Sequence, residues 1–324
     1  MVDSSERPWA IPEVSAPSQS LGATQPSPSS AGSQLPVGHQ FVETEQPAAP
    51  VPRPFRLQPL TIPEILDGAF GILRASPAKV VALAATFSAP IDLFLAYINR
   101  DALANDGVFG DLGVLLDPNA SEDGSTFGTD FAIDYLLPQF ALVFLAAALA
   151  KLVLDWFNGY DPSYREVVTH VGRRWWKILG VWILVHLAEA VGFVLLVVPG
   201  LFAMVMFLMS IPVLITEDLG VVAALKRSRT LAKGIGTRVF GVALSSALVI
   251  FGIQLALGIL PLILGSLIGE TYGWLVVALG SLFTSILALV GTAGITLILY
   301  YDTRVRREGL DLAIEVQEIF GGER

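Results

Sequence analysis

The chain has 324 residues, of which 53% are hydrophobic and 15% are charged, whereas soluble globular proteins average roughly 45–50% and about 25%. The formal net charge of −9 excludes the global positive field of a typical nucleic-acid-binding protein. The chain has no cysteine, which excludes thiol catalysis, thiolate metal sites and disulfides. From Val239 to Tyr300 the single charged residue is Glu270. This composition indicates a polytopic membrane protein.

The first 59 residues differ from the rest of the chain in composition. They are rich in Pro, Ser, Gln and Gly, and their few apolar residues follow no helical or strand period. Such a segment buries too little apolar surface to offset the entropy of ordering it. Residues 1–59 are therefore predicted to form a disordered tail, in which the motif Pro-Val-Pro-Arg-Pro (50–54) is either stiff linker or a polyproline II ligand.

Six apolar stretches follow the tail. A spanning helix needs about 20 mostly apolar residues, and the stretch from Ile178 to Thr216 is long enough for two, with Pro199 and Gly200 expected to break it. We predict an all-α transmembrane bundle with spans at about 80–98, 131–157, 178–198, 201–216, 239–269 and 272–300. The membrane domain is expected to cover residues 60–309, and residues 310–324 to form a short C-terminal tail.

The distribution of cationic residues predicts the orientation. With six spans, all but one of the 20 Lys and Arg residues fall on the side of both termini, and the exception is Arg100. Short cytoplasmic loops carry the excess of Lys and Arg. Both termini are therefore predicted to be cytoplasmic.

A short amphipathic segment precedes the first, third and fifth predicted spans. Helices of this kind lie in the membrane interface, with the basic face towards anionic headgroups; the alternative is an ordinary solvated loop helix. We expect the helices to start at Thr61 with Glu64, at Asp161 with Pro162, and at Thr216 with Glu217 and Asp218. The pattern therefore predicts three units, each of which is an interfacial helix followed by a transmembrane hairpin.

The basic edges of the second and third amphipathic segments are candidate contacts for anionic lipids or for a protein partner. Their residues are Arg173, Arg174, Lys226, Arg227, Arg229 and Lys233.

Several stretches resemble the bacterial membrane-domain family named after glycerophosphoryl diester phosphodiesterases. They are LTIPEILDGAFGILR (60–74), VVPGL (197–201), EDLGVVAALKRSR (217–229) and YYDTRVRREG (300–309). The resemblance covers about residues 58–312 and implies the fold and the membrane location. In some members a catalytic (β/α)₈ barrel follows this domain, but such a barrel needs about 200 residues and only 24 follow Tyr300. The family name therefore implies no activity for this chain, which we expect to be a stand-alone member.

Four polar residues within the predicted spans are candidates for an intramembrane site, because ionisable groups in a span are costly and suggest a function by default. His186 and Glu189 share a helical face, and Asp92 and Gln254 are the residues that could face them. The set would suit a proton, a cation or a headgroup amine. The alternative is that His186 and Glu189 satisfy each other within the bundle.

Other features are expected to be structural. Residues 99–130 form an acidic loop in which Asp117, Asn119, Ser121 and Asp123 match part of an EF-hand, but Glu122 replaces the required Gly, so we expect no metal. Small residues recur along the fifth and sixth spans and predict close helix packing, with homo-oligomer contact as the alternative. They are Gly241, Ser245, Gly252 and Ala256, and Gly280, Thr284, Ala288, Thr292 and Thr296.

These observations favour a non-enzymatic role. The sequence has no phosphate-binding loop, nucleophile elbow or zinc-protease motif, and we expect neither a catalytic residue nor a cofactor. The leading hypothesis is an accessory or scaffold protein that acts at the cytoplasmic membrane face, with membrane lipids and a protein as partners and no nucleic acid. The alternative is a transporter or flippase for a lipid or small polar molecule.

Overall fold

The computed structural model describes residues 51–52, 54–100, 129–310 and 312. All regular elements in these ranges are α-helices, and six helical segments are long and apolar enough to cross a membrane. The protein is therefore an all-α, multi-pass membrane bundle, which confirms the predicted fold class. The predicted tail, the acidic loop with its EF-hand-like residues and the predicted C-terminal tail lie mostly or wholly outside the described residues.

Ten helices make up the described part of the chain. They are α1 (Ile62–Ala75), α2 (Pro77–Ile98), α3 (Thr129–Phe157), α4 (Tyr164–Arg173), α5 (Trp175–Leu195), α6 (Val197–Phe207), α7 (Ser210–Thr216), α8 (Val221–Ala232), α9 (Gly236–Ile268) and α10 (Glu270–Glu308). The six segments that can span a membrane are Pro77–Ile98, Leu136–Phe157, Trp175–Leu195, Val197–Thr216, Gly236–Ile268 and Thr271–Glu308.

The break between the third and fourth spans lies earlier than expected. Leu196 adopts an extended conformation (φ −169°, ψ 157°) and separates α5 from α6. Pro199, the predicted breaker, lies instead in the first turn of α6, where its missing N–H would have had no helical partner. A Cβ on Gly192 would lie 2.8 Å from the Cα of Gly200. Gly200 therefore permits the close approach of α5 and α6 rather than the break.

The three short helices α1, α4 and α8 precede the first, third and fifth spans, as predicted. Their apolar faces are buried in the protein, with Ile65, Val167 and Leu231 at most 1% exposed. These helices pack against the spans, α1 on α10, α4 on α3, and α8 on α6 and α7. Contact with the bundle therefore covers much of the apolar face of each helix, whereas Val222 of α8 remains 56% exposed.

One predicted helix start is correct, because the Glu64 carboxylate accepts hydrogen bonds from the Thr61 N–H (2.6 Å) and the Thr61 hydroxyl (2.7 Å). The predicted start of the second short helix, at Asp161, is wrong. Helix α4 begins at Tyr164 behind a Ser163 cap, in which the Glu166 carboxylate accepts from the Ser163 N–H (2.8 Å). Asp161 cannot cap the helix because its carboxylate accepts from Lys79 and Trp156.

The predicted start of the third short helix is also wrong. Thr216 ends α7, and α8 begins five residues later, at Val221, with Gly220 at its N-cap. Asp218 lies between them in the left-handed region, with φ of 47°. The acidic pair Glu217 and Asp218 therefore forms a turn whose carboxylates bind arginines of other elements.

Helix α10 is the centre of the bundle. It packs against α1, α2, α3, α7, α8 and α9. The largest fully buried side chains lie towards its C-terminal half and on the helices around it, as with Leu149 of α3, Leu214 of α7 and Tyr300 of α10 itself. At the opposite end apolar side chains face outwards, with Val194 87% exposed and Leu267 77% exposed. Such a band is consistent with contact to lipid.

The two predicted stripes of small residues have different environments. On α10, Thr284 and Ala288 are buried, and a Cβ on Gly280 would lie 2.1 Å from Pro261 of α9. This stripe packs within the molecule, as predicted. On α9, Gly252 and Ala256 are exposed, and a Cβ on Gly252 would meet no atom within 4 Å. This half of the α9 stripe therefore lies on the outer surface of the described bundle, whereas Gly241 and Ser245 are partly buried.

Candidate functional site

Four ion pairs bring distant parts of the chain together at one end of the bundle, which we call the charged end. They are Lys79–Asp161, Arg174–Asp218, Arg227–Glu308 and Arg238–Asp302. Their partners lie at or just before the starts of the first, third and fifth spans and at or just after the ends of the second, fourth and sixth. The three hairpins therefore start and finish at the same end, as six spans require.

Asp302 of α10 is at the centre of the first network at the charged end. Its side chain is fully buried and accepts hydrogen bonds from the Leu60 N–H (2.7 Å), Arg306 Nε (2.9 Å) and Arg238 (2.9 Å). Both guanidinium groups also donate to the Leu60 carbonyl oxygen, at 2.7 and 2.6 Å. This network fixes the segment before α1 to α9 and α10.

A second network joins α7, α8 and α10. The Tyr300 hydroxyl accepts from Thr216 (2.7 Å) and donates to Glu217 (3.1 Å). Glu217 also accepts from Arg227 Nε (2.9 Å), and the same guanidinium binds Glu308. Arg304 completes the cluster through Glu308 (2.9 Å). The charged end is thus held by bonds between elements that are far apart in the sequence.

The six predicted contacts for lipid or partner divide into two groups. Arg174 and Arg227 are partly buried and bind carboxylates within the protein. The other four side chains are exposed, and none has a carboxylate partner among the described residues. They are Arg173, Lys226, Arg229 and Lys233. Four of the six predicted cations are therefore available to a ligand from outside.

The bonds at the charged end alter the ionisation of two exposed carboxyls. Burial tends to raise the pKa of Asp161, but hydrogen bonds from Lys79 and Trp156 and the charge of Lys79 outweigh it, so that the pKa is lowered. The hydrogen bond and charge of Arg174 lower the pKa of Asp218. Both carboxylates are therefore charged at neutral pH, which keeps these links in place.

The four predicted intramembrane residues do not form one cluster. Asp92 of α2 lies beside Ser88 of its own helix and Ser285 of α10. Gln254 of α9 is exposed on the outer surface. His186 and Glu189 are neighbours on α5, but the Nδ1 of His186 lies 2.9 Å from the carbonyl oxygen of Trp182, and Glu189 makes no hydrogen bond to a described residue. No hydrogen bond between His186 and Glu189 is seen, but their charges interact, so the alternative in which they satisfy each other stays a prediction.

A cavity of about 130 Å³ lies beside His186 within the spanning region. Polar residues from four helices line it, namely Gln139, Trp182, His186, Ser210, Thr292 and Thr296. The hydroxyl of Ser210 and the indole N–H of Trp182 are buried and have no described partner. Sequence reasoning missed Gln139, Trp182 and Ser210 as members of a polar site. The sequence shows Gln139 as an amide within an apolar run, which could have marked it as a candidate. For Trp182 and Ser210, only the packing of the helices shows that their polar groups line a common cavity.

Among the described residues, no group of three or more His, Asp or Glu side chains is placed to hold a metal ion. The comparisons with known proteins add no relative, since no family model, no curated protein and no solved structure matches this chain.

Proposed function

We propose that this protein is a non-enzymatic accessory or scaffold component of the bacterial cytoplasmic membrane and that it acts at the cytoplasmic face. The observation that carries the proposal is the construction of the charged end. Two networks hold α1, α8 and α10 in place, while Lys226 and Arg229 on α8, and Lys233 directly after it, have no carboxylate partner among the described residues. A fixed surface with free cations suits recognition of an acidic partner.

The cytoplasmic location is supported by the cations. All described Lys and Arg residues except Arg100 lie at or near the charged end, as the rule for cytoplasmic loops requires. A reporter fused to the C-terminus tests this orientation. We expect activity from a cytoplasmic reporter, and activity from a periplasmic reporter alone would overturn the assignment.

The scaffold role is tested by charge reversal on α8. We expect Arg229→Glu with Lys233→Glu to remove the proteins that co-purify with the wild-type chain in mild detergent, as measured by quantitative mass spectrometry. The matched control is Arg56→Glu with Arg74→Glu, which makes the same change in charge at exposed residues of another segment at this end. If both double variants recover equal amounts of the co-purifying proteins, the scaffold proposal is overturned.

Membership of the glycerophosphoryl diester phosphodiesterase membrane-domain family is part of this proposal. It is supported by the fit between the quoted segments and the structure, since the segments at 60–74, 217–229 and 300–309 form the charged end. If the charged end is the common feature of the family, other members should contain the same residues at the positions that form its networks. Sequences from related genomes test this, and a lack of Asp302 and Arg238 together in otherwise similar chains would contradict it.

The second candidate is a carrier for a small polar molecule, which the cavity beside His186 favours. This cavity of about 130 Å³, which has polar groups within a mostly apolar lining, has room for a few water molecules or a small solute. Filling it by Ser210→Leu is expected to abolish transport in proteoliposomes screened against small polar solutes, whereas Gln254→Leu on the outer surface leaves transport unchanged. Absence of transport by the wild-type protein would refute this candidate.

A further inference from the structure

An open cavity of about 730 Å³ lies at the charged end between the last turns of α3, the loop that follows and α4. We call it the α3–α4 cavity. Its lining includes Lys151 of α3, the α4 residues Arg165, His170 and Arg173, and Arg174. Two carboxylates, Asp155 and Glu166, also line it.

The carboxylates in and near the cavity already have partners. Asp155 binds Lys151 at 2.5 Å, and Asp218 binds Arg174 at 2.5 Å. Glu166 accepts from the Tyr160 hydroxyl at 2.8 Å and caps α4. These acids therefore neutralise Lys151 and Arg174 or stabilise the helix, and they leave the remaining cations of the cavity unpaired.

The unpaired cations are Arg165 and Arg173. Both are exposed, and neither has a carboxylate partner among the residues that the structure describes. They lie eight residues apart with Thr169 midway, so that the three side chains follow one face of α4. All three line the cavity. Two free guanidinium groups and a hydroxyl on one wall match the donors that bind a phosphate group.

His170 also belongs to the lining of the cavity. Its Nε2 atom is buried and has no hydrogen-bond partner in the described chain. Burial, followed by the charges of Arg174 and Lys151, lowers its pKa, although Asp155 and Asp218 oppose this. His170 therefore adds an unpartnered ring nitrogen to the two guanidinium groups and the hydroxyl of the cavity.

Aromatic residues place the mouth of the cavity at the level of lipid headgroups. Trp175 and Trp176, at the start of the third span, are 55% and 56% exposed, and Tyr160 is 52% exposed. Trp and Tyr are enriched at the boundary between membrane and water. A bound phosphate group would therefore lie at the depth where phospholipids carry theirs.

We propose that the α3–α4 cavity is a binding site for a phosphate ester, with Arg165 and Arg173 as the ligands of the phosphate oxygens. The cavity is larger than a bare phosphate and has room for the glycerol part of an anionic phospholipid headgroup. The same chemistry would accept a soluble glycerol phosphate. This inference does not depend on the scaffold role, because it uses α4 rather than the free cations of α8.

The test compares two sources of phosphate in nanodiscs. In the first arm, the full chain is placed in nanodiscs of phosphatidylcholine with 20% phosphatidylglycerol. In the second arm, the nanodiscs contain phosphatidylcholine alone, and sn-glycerol 3-phosphate is added to the solution in roughly tenfold steps of concentration. Retained lipid is measured by native mass spectrometry and soluble ligand by calorimetry. We expect Arg165→Gln with Arg173→Gln to weaken binding by at least tenfold, which corresponds to about 1.4 kcal/mol.

The matched control is Arg56→Gln with Arg229→Gln, which removes two exposed cations from the same end and outside this cavity. If Arg165→Gln with Arg173→Gln loses binding only in the phosphatidylglycerol arm, the ligand is a lipid. If the same variant loses binding only in the soluble arm, the ligand is a soluble phosphate ester. Equal binding by the two double variants, or no binding by the wild-type chain in either arm, would overturn the site. Unfolding midpoints without ligand verify that both variants fold.

Discussion

Replacing Asp302 with asparagine perturbs the ion pairs of the most buried carboxylate at the charged end. The carboxylate accepts from the Leu60 N–H and from two guanidinium groups, those of Arg238 and Arg306. In the variant, one of the two oxygens becomes an NH₂ group that faces a hydrogen-bond donor. Breaking a buried pair from one side typically costs 3–5 kcal/mol, because the remaining charge is left buried.

The structure places the expected cost near the lower limit of that range. Both guanidinium groups keep their hydrogen bonds to the Leu60 carbonyl oxygen, so neither loses every partner. We therefore expect the free energy of unfolding to fall by about 3 kcal/mol, which is the loss of one to two charged hydrogen bonds at ~1.5–3 kcal/mol each. Unfolding in mixed micelles with increasing SDS, followed by tryptophan fluorescence, measures this difference.

The control is Asp67→Asn, which removes the same charge from an exposed pair. Asp67 binds Arg74 at 2.5 Å, but the two side chains are 76% and 65% exposed. Such surface pairs contribute about 0–1 kcal/mol. If the two asparagine variants unfold within about 1 kcal/mol of each other, the reasoning that assigns stability to the Asp302 network is refuted.

Three further predictions follow from single positions. Gly192→Ala forces α5 away from Gly200 and should cost about 1–3 kcal/mol in the same unfolding assay, whereas Gly252→Ala, whose Cβ meets nothing within 4 Å, should cost nothing. Ser163→Ala removes the cap of α4 and should cost ~1 kcal/mol, and a loss below a few tenths would show that the cap is unimportant. Because the pKa of His170 is lowered from 6.5, the unfolded chain takes up the proton first as pH falls below that value. Folding stability should therefore fall with pH just below 6.5, and His170→Gln should flatten that slope; an unchanged slope would contradict it.

The hydropathy pattern predicted the six spans because the long apolar stretches can be covered only by lipid or protein. The ends of the spans were harder to predict. The sixth was expected to end at residue 300, but α10 continues to Glu308, since pairs such as Asp302 with Arg306 lie on one helical face and support the extra turns. The break at Leu196 was displaced by three residues from Pro199, because proline is tolerated in the first turn of a helix.

The sequence predicted that basic surface residues and polar residues within the spans would form candidate sites, but it did not predict which residues lie together in each site. The cations of α4 and α8 were visible as basic edges, yet the roles of Arg174 and Arg227 depend on Asp218 and Glu308, which are 44 and 81 residues away. Lys151 and Arg165 gave no local signal of a shared cavity. The polar residues of the spans were grouped because they are costly in lipid, but the helix arrangement, which hydropathy does not specify, separates Asp92 and Gln254 from His186.

The uneven packing of the bundle indicates where its function lies. Near the charged end, side chains such as Leu149 and Tyr300 are fully buried, and two networks join helices that are distant in sequence. At the other end, Val194 and Leu267 face outwards, and α9 has few buried residues along its length. Recognition requires side chains held in fixed positions, and the charged end provides them together with cations on α4 and α8 that have no carboxylate partner among the described residues. We therefore expect a ligand or partner to gain most from the preorganised structure at the charged end, whereas the exposed apolar side chains of the opposite end are matched to lipid.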